Sequence, residues 1–348
     1  MYQSNFLHCI TNETHEFNTI HEKYWIKYTK TKLQSENLKS GKQFNINSKS
    51  WEQIANDFST KRQLVMQFGA LLQFKLANRI ESFQRAAFVF DCFYQSLLKN
   101  QKIQEIVQFI QLEFMYLTIA AALLLSTKYE EIYPAPIEDF IHVLGLLKTK
   151  NYPDGINVDR ETFMEVERKI LIENSWNFSR PIGINYLRIL TVTLSSNVDP
   201  KINNEIHELS KFLLETSIVN SKTCHIAPST AAVFSAMAAK KIISVKNNSK
   251  IFSNDKNVLG EWGGIEEQIT GYKENDASVQ QCLTEIMSFS SQVIQSAPKH
   301  NSKPDLDNFD FTNKYNPSMW GIFKGTNYVD KVVQKMSVSS FRKPKWKN

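Results

Sequence analysis

Between Leu117 and Pro134 the chain reads LTIAAALLLSTKYEEIYP, and from Leu117 to Leu125 only Thr118 is polar. A helix of that composition is apolar on every side and has to be surrounded by other helices, because no face of it suits water. It belongs at the centre of a bundle. No proline precedes Pro134 and glycine is sparse before it, so the first third of the chain can run as helices without forced breaks. Where the run ends, Lys128, Tyr129, Glu130 and Glu131 set charges and an aromatic ring on a rigid element beside apolar surface.

The flanking sequence supplies the surrounding helices. In Ser82 to Leu98, the residues Phe83, Ala86, Ala87, Phe90, Tyr94 and Leu97 recur at three- and four-residue intervals, with Gln84, Arg85 and Gln95 off that face. Lys61 to Phe74 is a second candidate. Glu161 to Asn174 is a third, placing Phe163, Val166, Ile170 and Leu171 on one side. After Arg180-Pro181 a further set begins with Ile184 to Leu194, Asn203 to Val219, Pro228 to Ile243 and Ser278 to Gln295. Pro228 suits the first turn of its helix, where an amide hydrogen is not needed. The sequence PSTAAVFSAMAAKKI, Pro228 to Ile242, is again alanine-rich and reads as a second central helix.

The expected fold class is therefore all-α, as two tandem bundles joined near Arg180. The expected divisions are 1–50 as an N-terminal segment with a flanking helix, 51–180 and 181–297 as the two bundles, and 298–348 as a C-terminal tail. Lys148 to Asn157, Lys246 to Asn257 and Ser35 to Ser50 are polar in composition and read as loops.

Several classes of function find no support. The longest apolar run falls short of the roughly 18 residues of a membrane helix, and the first residues lack a basic region followed by an apolar core. Cys9, Cys92, Cys224 and Cys282 form no C-x-x-C pair, which argues against a disulfide framework or a zinc ribbon. His8, Cys9, His15 and His21 cluster, but at no structural zinc spacing, so no metal is expected. No phosphate-binding glycine loop or nucleophile elbow is present, so neither a cofactor nor a catalytic residue is expected. The net charge of +6 is modest, and nucleic acid is not inferred from it.

STKYEEIYP, followed by PIEDF at Pro136 to Phe140, is very similar to the cyclin-box signature. ESFQRAAFVFDCF (Glu81 to Phe93) resembles the helix before it, and VERKILIENSWNFSRPIGINYLR (Val166 to Arg188) the end of the first box. HIAPSTAAVFSAMAA, TGYKENDASVQQCLTEI (Thr270 to Ile286) and KYNPSMWG (Lys314 to Gly321) continue the match in order, as in mitotic A- and B-type cyclins. The resemblance implies two five-helix cyclin folds with an N-terminal helix and a C-terminal tail. It also implies a regulatory subunit, not an enzyme, that binds and activates a cyclin-dependent protein kinase in cell-cycle control. Kinase substrates and inhibitors would be further partners, a membrane would not, and the nucleus and cytoplasm would be the location.

Lys128 and Glu167 match the family's ion pair, which docks onto backbone groups of the kinase's mobile regulatory helix. Without the resemblance, Lys128 reads as a cation at a helix C-terminus and Glu167 as a solvated helix residue. Leu125, Tyr129, Trp176 and Phe178 fall on positions that supply apolar contacts to the same kinase helix, their plain alternative being core. Ile20, in HEFNTIHEKYWIKY (His15 to Tyr28), falls on the N-terminal helix that flanks the box.

The family's groove for Arg-x-Leu peptides is altered. Lys61, Val65 and Phe68 replace its methionine, leucine and tryptophan, Leu71 its acidic residue and Tyr116 its glutamine. The lysine and the missing carboxylate are expected to repel the peptide's arginine. No arginine precedes Arg62, which excludes an R-x-x-L destruction motif before it; Arg168 to Leu171 spells that motif on a helix, and Lys273-Glu274-Asn275 spells KEN. Two other functions fit a cyclin fold: a nucleic-acid-binding transcription factor, and a scaffold without kinase activation. The first is disfavoured by the cysteine spacing and by Glu261, Glu266, Glu267, Glu274 and Asp276 in the second repeat.

Overall fold

A computed structural model describes residues 51–99, 109–146, 154–194, 199–248 and 262–295. Ile20, the histidines near the N-terminus, Ser35 to Ser50 and the C-terminal tail lie outside the described residues. Within them are ten helices and no strand. These are α1 (Trp51–Lys75), α2 (Ile80–Lys99), α3 (Leu112–Glu130), α4 (Ile137–Leu146), α5 (Arg160–Glu173), α6 (Gly183–Leu194), α7 (Pro200–Val219), α8 (Pro228–Asn248), α9 (Ile265–Thr270) and α10 (Ala277–Gln295). The chain divides into two compact units, and the change falls between Arg180 and Pro181.

In the first unit α3 is the axis. Every residue from Met115 to Thr127 is buried, and α1, α2, α4 and α5 pack around the helix. Its polar side chains are satisfied without leaving it, since Thr118, Ser126 and Thr127 donate to the carbonyls of Phe114, Ala122 and Leu124. A hydroxyl that bonds back onto its own helix can be buried without an unpaired group. α3 ends at Glu131, whose backbone turns extended while its N–H still reaches the Thr127 carbonyl.

The α1–α3 crossing is close because Gly69 has no side chain. A Cβ there would lie 2.7 Å from Ile119 Cγ1 and 3.3 Å from the Phe83 ring. α1 and α2 are joined by a buried ion pair in which Arg62 Nε and Nη2 each donate to Asp91 at 2.8 Å. Such twin charge-assisted bonds fix one orientation of two helices. Beside it, burial pushes the Cys92 thiol up to about 12, with Asp91 adding to the shift and Arg180 opposing it.

The apolar face expected of α2 is buried throughout, but Gln84 and Arg85, expected off it, are buried as well. α2 is flanked by neighbours on more than one side, so its polar edge meets protein rather than water. Leu171 of α5 is only half-buried, and the inward face is Phe163, Val166 and Ile170. α5 starts at Asp159, whose carboxylate accepts the Thr162 N–H at 2.6 Å; those hydrogen bonds hold its carboxyl below the usual range. Most helix starts fall earlier than the apolar periodicity shows, α1 by ten residues, because Trp51 to Thr60 extends the helix before Lys61. α4 and α9 were not expected as helices; each has few buried positions, so its periodicity is short.

The second unit repeats the plan around α8, where Ala231 to Ala239 are all buried between α6, α7 and α10. Gly183 lets α6 approach, since a Cβ there would lie 2.9 Å from Leu214. α7 begins with Pro200 behind the Asp199 carboxylate, which accepts the Lys201 N–H at 2.7 Å. The loop called from Lys246 onward begins later than expected, as 246–248 still belong to α8. α9 closes on Gly271, at φ 76°, the left-handed geometry that glycine adopts at a helix end.

Two outcomes follow from this packing. Gly69→Ala overpacks Ile119, and the strain outweighs the gain in helix propensity, so the chain should lose about 1–2 kcal/mol in denaturant titration. In the second unit, His207 Nδ1 lies 3.1 Å from Thr191 Oγ1, and burial, then Lys211, hold its pKa below the ordinary value. The unfolded chain therefore binds that proton more readily, so stability falls as pH drops below about 6.5 through the folded value. His207→Gln should flatten the fall in melting temperature between pH 7.5 and 5.5.

Candidate functional site

At the end of α3 the four residues Lys128 to Glu131 divide by direction. Glu131 turns inward, accepting the Arg79 N–H at 2.9 Å and the Ser82 hydroxyl at 2.7 Å, which satisfies donors at the start of α2. Glu130 also turns inward, onto Arg85. Lys128 and Tyr129 turn outward, with 49% of the lysine side chain and 53% of the tyrosine exposed.

Lys128 Nζ donates to Glu167 Oε1 of α5, 39 residues away in sequence. Glu167 follows the buried Val166 along α5, so it sits where α5 meets α3, with only 12% of its side chain exposed. The solvated-residue alternative for Glu167 is therefore not what the structure has. The ammonium keeps two further N–H donors and the carboxylate keeps acceptor sites, so the pair can serve additional partners at the surface.

The turn after α5 presents Trp176. Asn174 ties that end of the helix to α2 by donating its side-chain amide to the Val89 carbonyl at 3.0 Å. Ser175 and Trp176 then take φ of 50° and 59°, while the Trp176 N–H reaches back to the Leu171 carbonyl at 3.0 Å. Two consecutive non-glycine residues in the left-handed region cost about 1–2 kcal/mol each. The surrounding hydrogen bonds hold them there, and the indole stands 69% exposed.

Of the other expected contact residues, Leu125 is buried in α3 and Phe178 is half-buried. Further exposed apolar residues on the same elements escaped the sequence reading: Ile132 and Tyr133 beyond α3, and Met164 and Ile172 on α5. Met164, Arg168 and Ile172 follow at four-residue steps, and their outward position on α5 was the legible signal.

The expected peptide groove is not a surface. Val65, Phe68, Leu71 and Tyr116 are buried, with the Phe68 and Tyr116 rings 4.5 Å apart. The expected charge repulsion needs correction too, because Lys61 Nζ donates to Asp57 Oδ2 and to the Ile110 carbonyl, both at 3.0 Å. The four-residue spacing on α1 gives the lysine its own carboxylate. Burial of the apolar positions, rather than an unpaired lysine, removes the groove. The KEN sequence lies in the turn between α9 and α10, where Glu274 is paired with Lys241. Arg168 to Leu171 lies within α5. Among the described residues, no group of three or more His, Cys, Asp or Glu could hold a metal, no disulfide forms, and no helix is long and apolar enough to cross a membrane.

Residues 40–179 match the family model for the cyclin N-terminal domain, and residues 181–316 match that for the cyclin C-terminal domain. The chain belongs to the cyclin family. Among curated proteins it is 27% identical over 179 residues to the G2/mitotic-specific cyclin-B2 of Rana japonica, covering 51% of this chain and 38% of that one. It is 25% identical over 170 residues to the Homo sapiens G2/mitotic-specific cyclin-B2, covering 49% and 35% respectively. The aligned part thus spans little more than a third of those relatives. A solved CAK complex from Chaetomium thermophilum contains a chain at 12% identity and TM-score 0.46, with 96% of this chain and 92% of that one covered.

An Arg-x-Leu peptide titrated into the purified cyclin should show no saturable binding up to about 1 mM by fluorescence anisotropy, because the anchoring side chains are buried.

Proposed function

We propose that this cyclin is the regulatory subunit of a cyclin-dependent serine/threonine protein kinase, activating it in cell-cycle control. The observation that carries the reading is the surface ion pair of Lys128 and Glu167 with exposed Tyr129 and Trp176 on the same two elements. An ammonium with spare donors beside a carboxylate with spare acceptors suits a strand of main chain, whose N–H and C=O groups come in both kinds. Aromatic rings beside that pair would exclude water and strengthen its hydrogen bonds. The main-chain target is the kinase's mobile regulatory helix, and activation is a population shift, since the cyclin binds the active arrangement best. The buried peptide positions on α1 support substrate choice by some other surface, and the nucleus and cytoplasm are the proposed location.

Lys128→Ala and Glu167→Ala should each cut the kinase recovered by pull-down from source cells at least tenfold, as for a hot spot worth about 2–4 kcal/mol. The helical circular dichroism should be unchanged, because a half-exposed pair contributes only about 0–1 kcal/mol to folding. Kinase recovery at the wild-type level by both variants would overturn the reading. Histone phosphorylation by the recovered complex separates an activator from a silent scaffold.

A further inference from the structure

Arg85 lies on α2, away from the surface that carries Lys128, and is only 4% exposed. Its Nε and Nη2 both donate to Glu130 at the end of α3. Its Nη1 donates to the Phe178 carbonyl and, at 3.1 Å, to the Arg180 carbonyl. The guanidinium carbon stands 4.4 Å from the centroid of the Tyr129 ring. One buried side chain therefore holds the last turn of α3 and the segment that follows α5.

Those two stretches need such a hold. Residues 177–182 form no helix, so the Phe178 and Arg180 carbonyls have no helical partner and must find donors elsewhere. Glu130 and Tyr129 lie in a final helical turn, where few backbone bonds resist fraying. Arg62–Asp91 ties α1 to α2 within the body of two helices, whereas every partner of Arg85 lies on a chain end beside the exposed aromatics. A planar fork with five donors can meet a carboxylate, two carbonyls and a ring face together, and an ammonium cannot.

We infer that Arg85 is a positioning residue: it fastens Tyr129 and the Phe178 segment into one rigid face on either side of the Lys128–Glu167 pair. The inference rests on the kinase-binding reading for its function, though the fastening itself does not.

The test uses the purified full chain and the kinase subunit recovered with it. Arg85→Lys keeps the charge and loses the fork; it should weaken kinase affinity about tenfold alone, but less than threefold in a Tyr129→Ala background. In a Met164→Ala background, at the far end of α5, the tenfold cost should return. A role confined to overall stability would give the same ratio in every background, and that result, or no loss at all, overturns the proposal.

Amide hydrogen exchange supplies the arm that needs no kinase. Arg85→Lys should speed exchange about tenfold or more at 129–131 and 176–177, while leaving Ile119 to Leu124 unchanged. If the wild-type chain binds no kinase, the function reading falls, and this local pattern still supports the fastening. Uniform acceleration through α3, or none at either end, sinks it. Should Arg85→Lys fail to fold, Glu130→Gln, which keeps the shape and removes the counter-charge, should give the same local pattern at lower amplitude.

Discussion

The burial of α3 on all sides is the constraint from which the first unit follows. Thirteen consecutive residues, Met115 to Thr127, lie in the core, so four helices must surround them and only the ends of α3 can reach solvent. Because α3 is enclosed, a residue one position past its buried span is also one position from the surface. Lys128 is that residue. The second unit repeats the device with α8, whose alanines keep the surrounding helices close.

The charges at the end of α3 serve two physical roles that the sequence writes as one motif. Glu130 and Glu131 face inward and complete the hydrogen bonding of α2, where loss of a partner would leave a costly unpaired group. Lys128 faces outward and pairs with Glu167 at half exposure, where the same kind of bond adds little to stability. An ion pair that contributes little to folding is free to be strengthened by a partner that dries it. The inward carboxylates hold the platform, and the outward pair is what the platform presents.

Much of this was legible. The three- and four-residue recurrence of Phe83, Ala86, Ala87, Phe90, Tyr94 and Leu97 reads directly as a buried face, because a helix has one period and a core has one requirement. Gln84 and Arg85 were misread for a related reason, since periodicity identifies the apolar side but not whether water or another helix meets the polar side. α4 and α9 carry too few buried residues to show a period. The peptide-groove positions were read by residue type, and Lys61 looked unpaired because Asp57 counted only once the helix was known to extend that far.

The sequence by itself determined the all-helical class, the two central helices and the break at Arg180-Pro181, since composition and local spacing decide which stretches can be buried and which cannot. It also marked Lys128 and Glu167, through resemblance rather than geometry. Only the tertiary structure decided that they touch, that both signature glutamates point inward, that Val65 and Phe68 are core, and that Arg85 reaches the ends of two other segments. Each of those facts depends on which elements lie side by side, and side-chain contacts across dozens of residues are set by packing that no local spacing encodes.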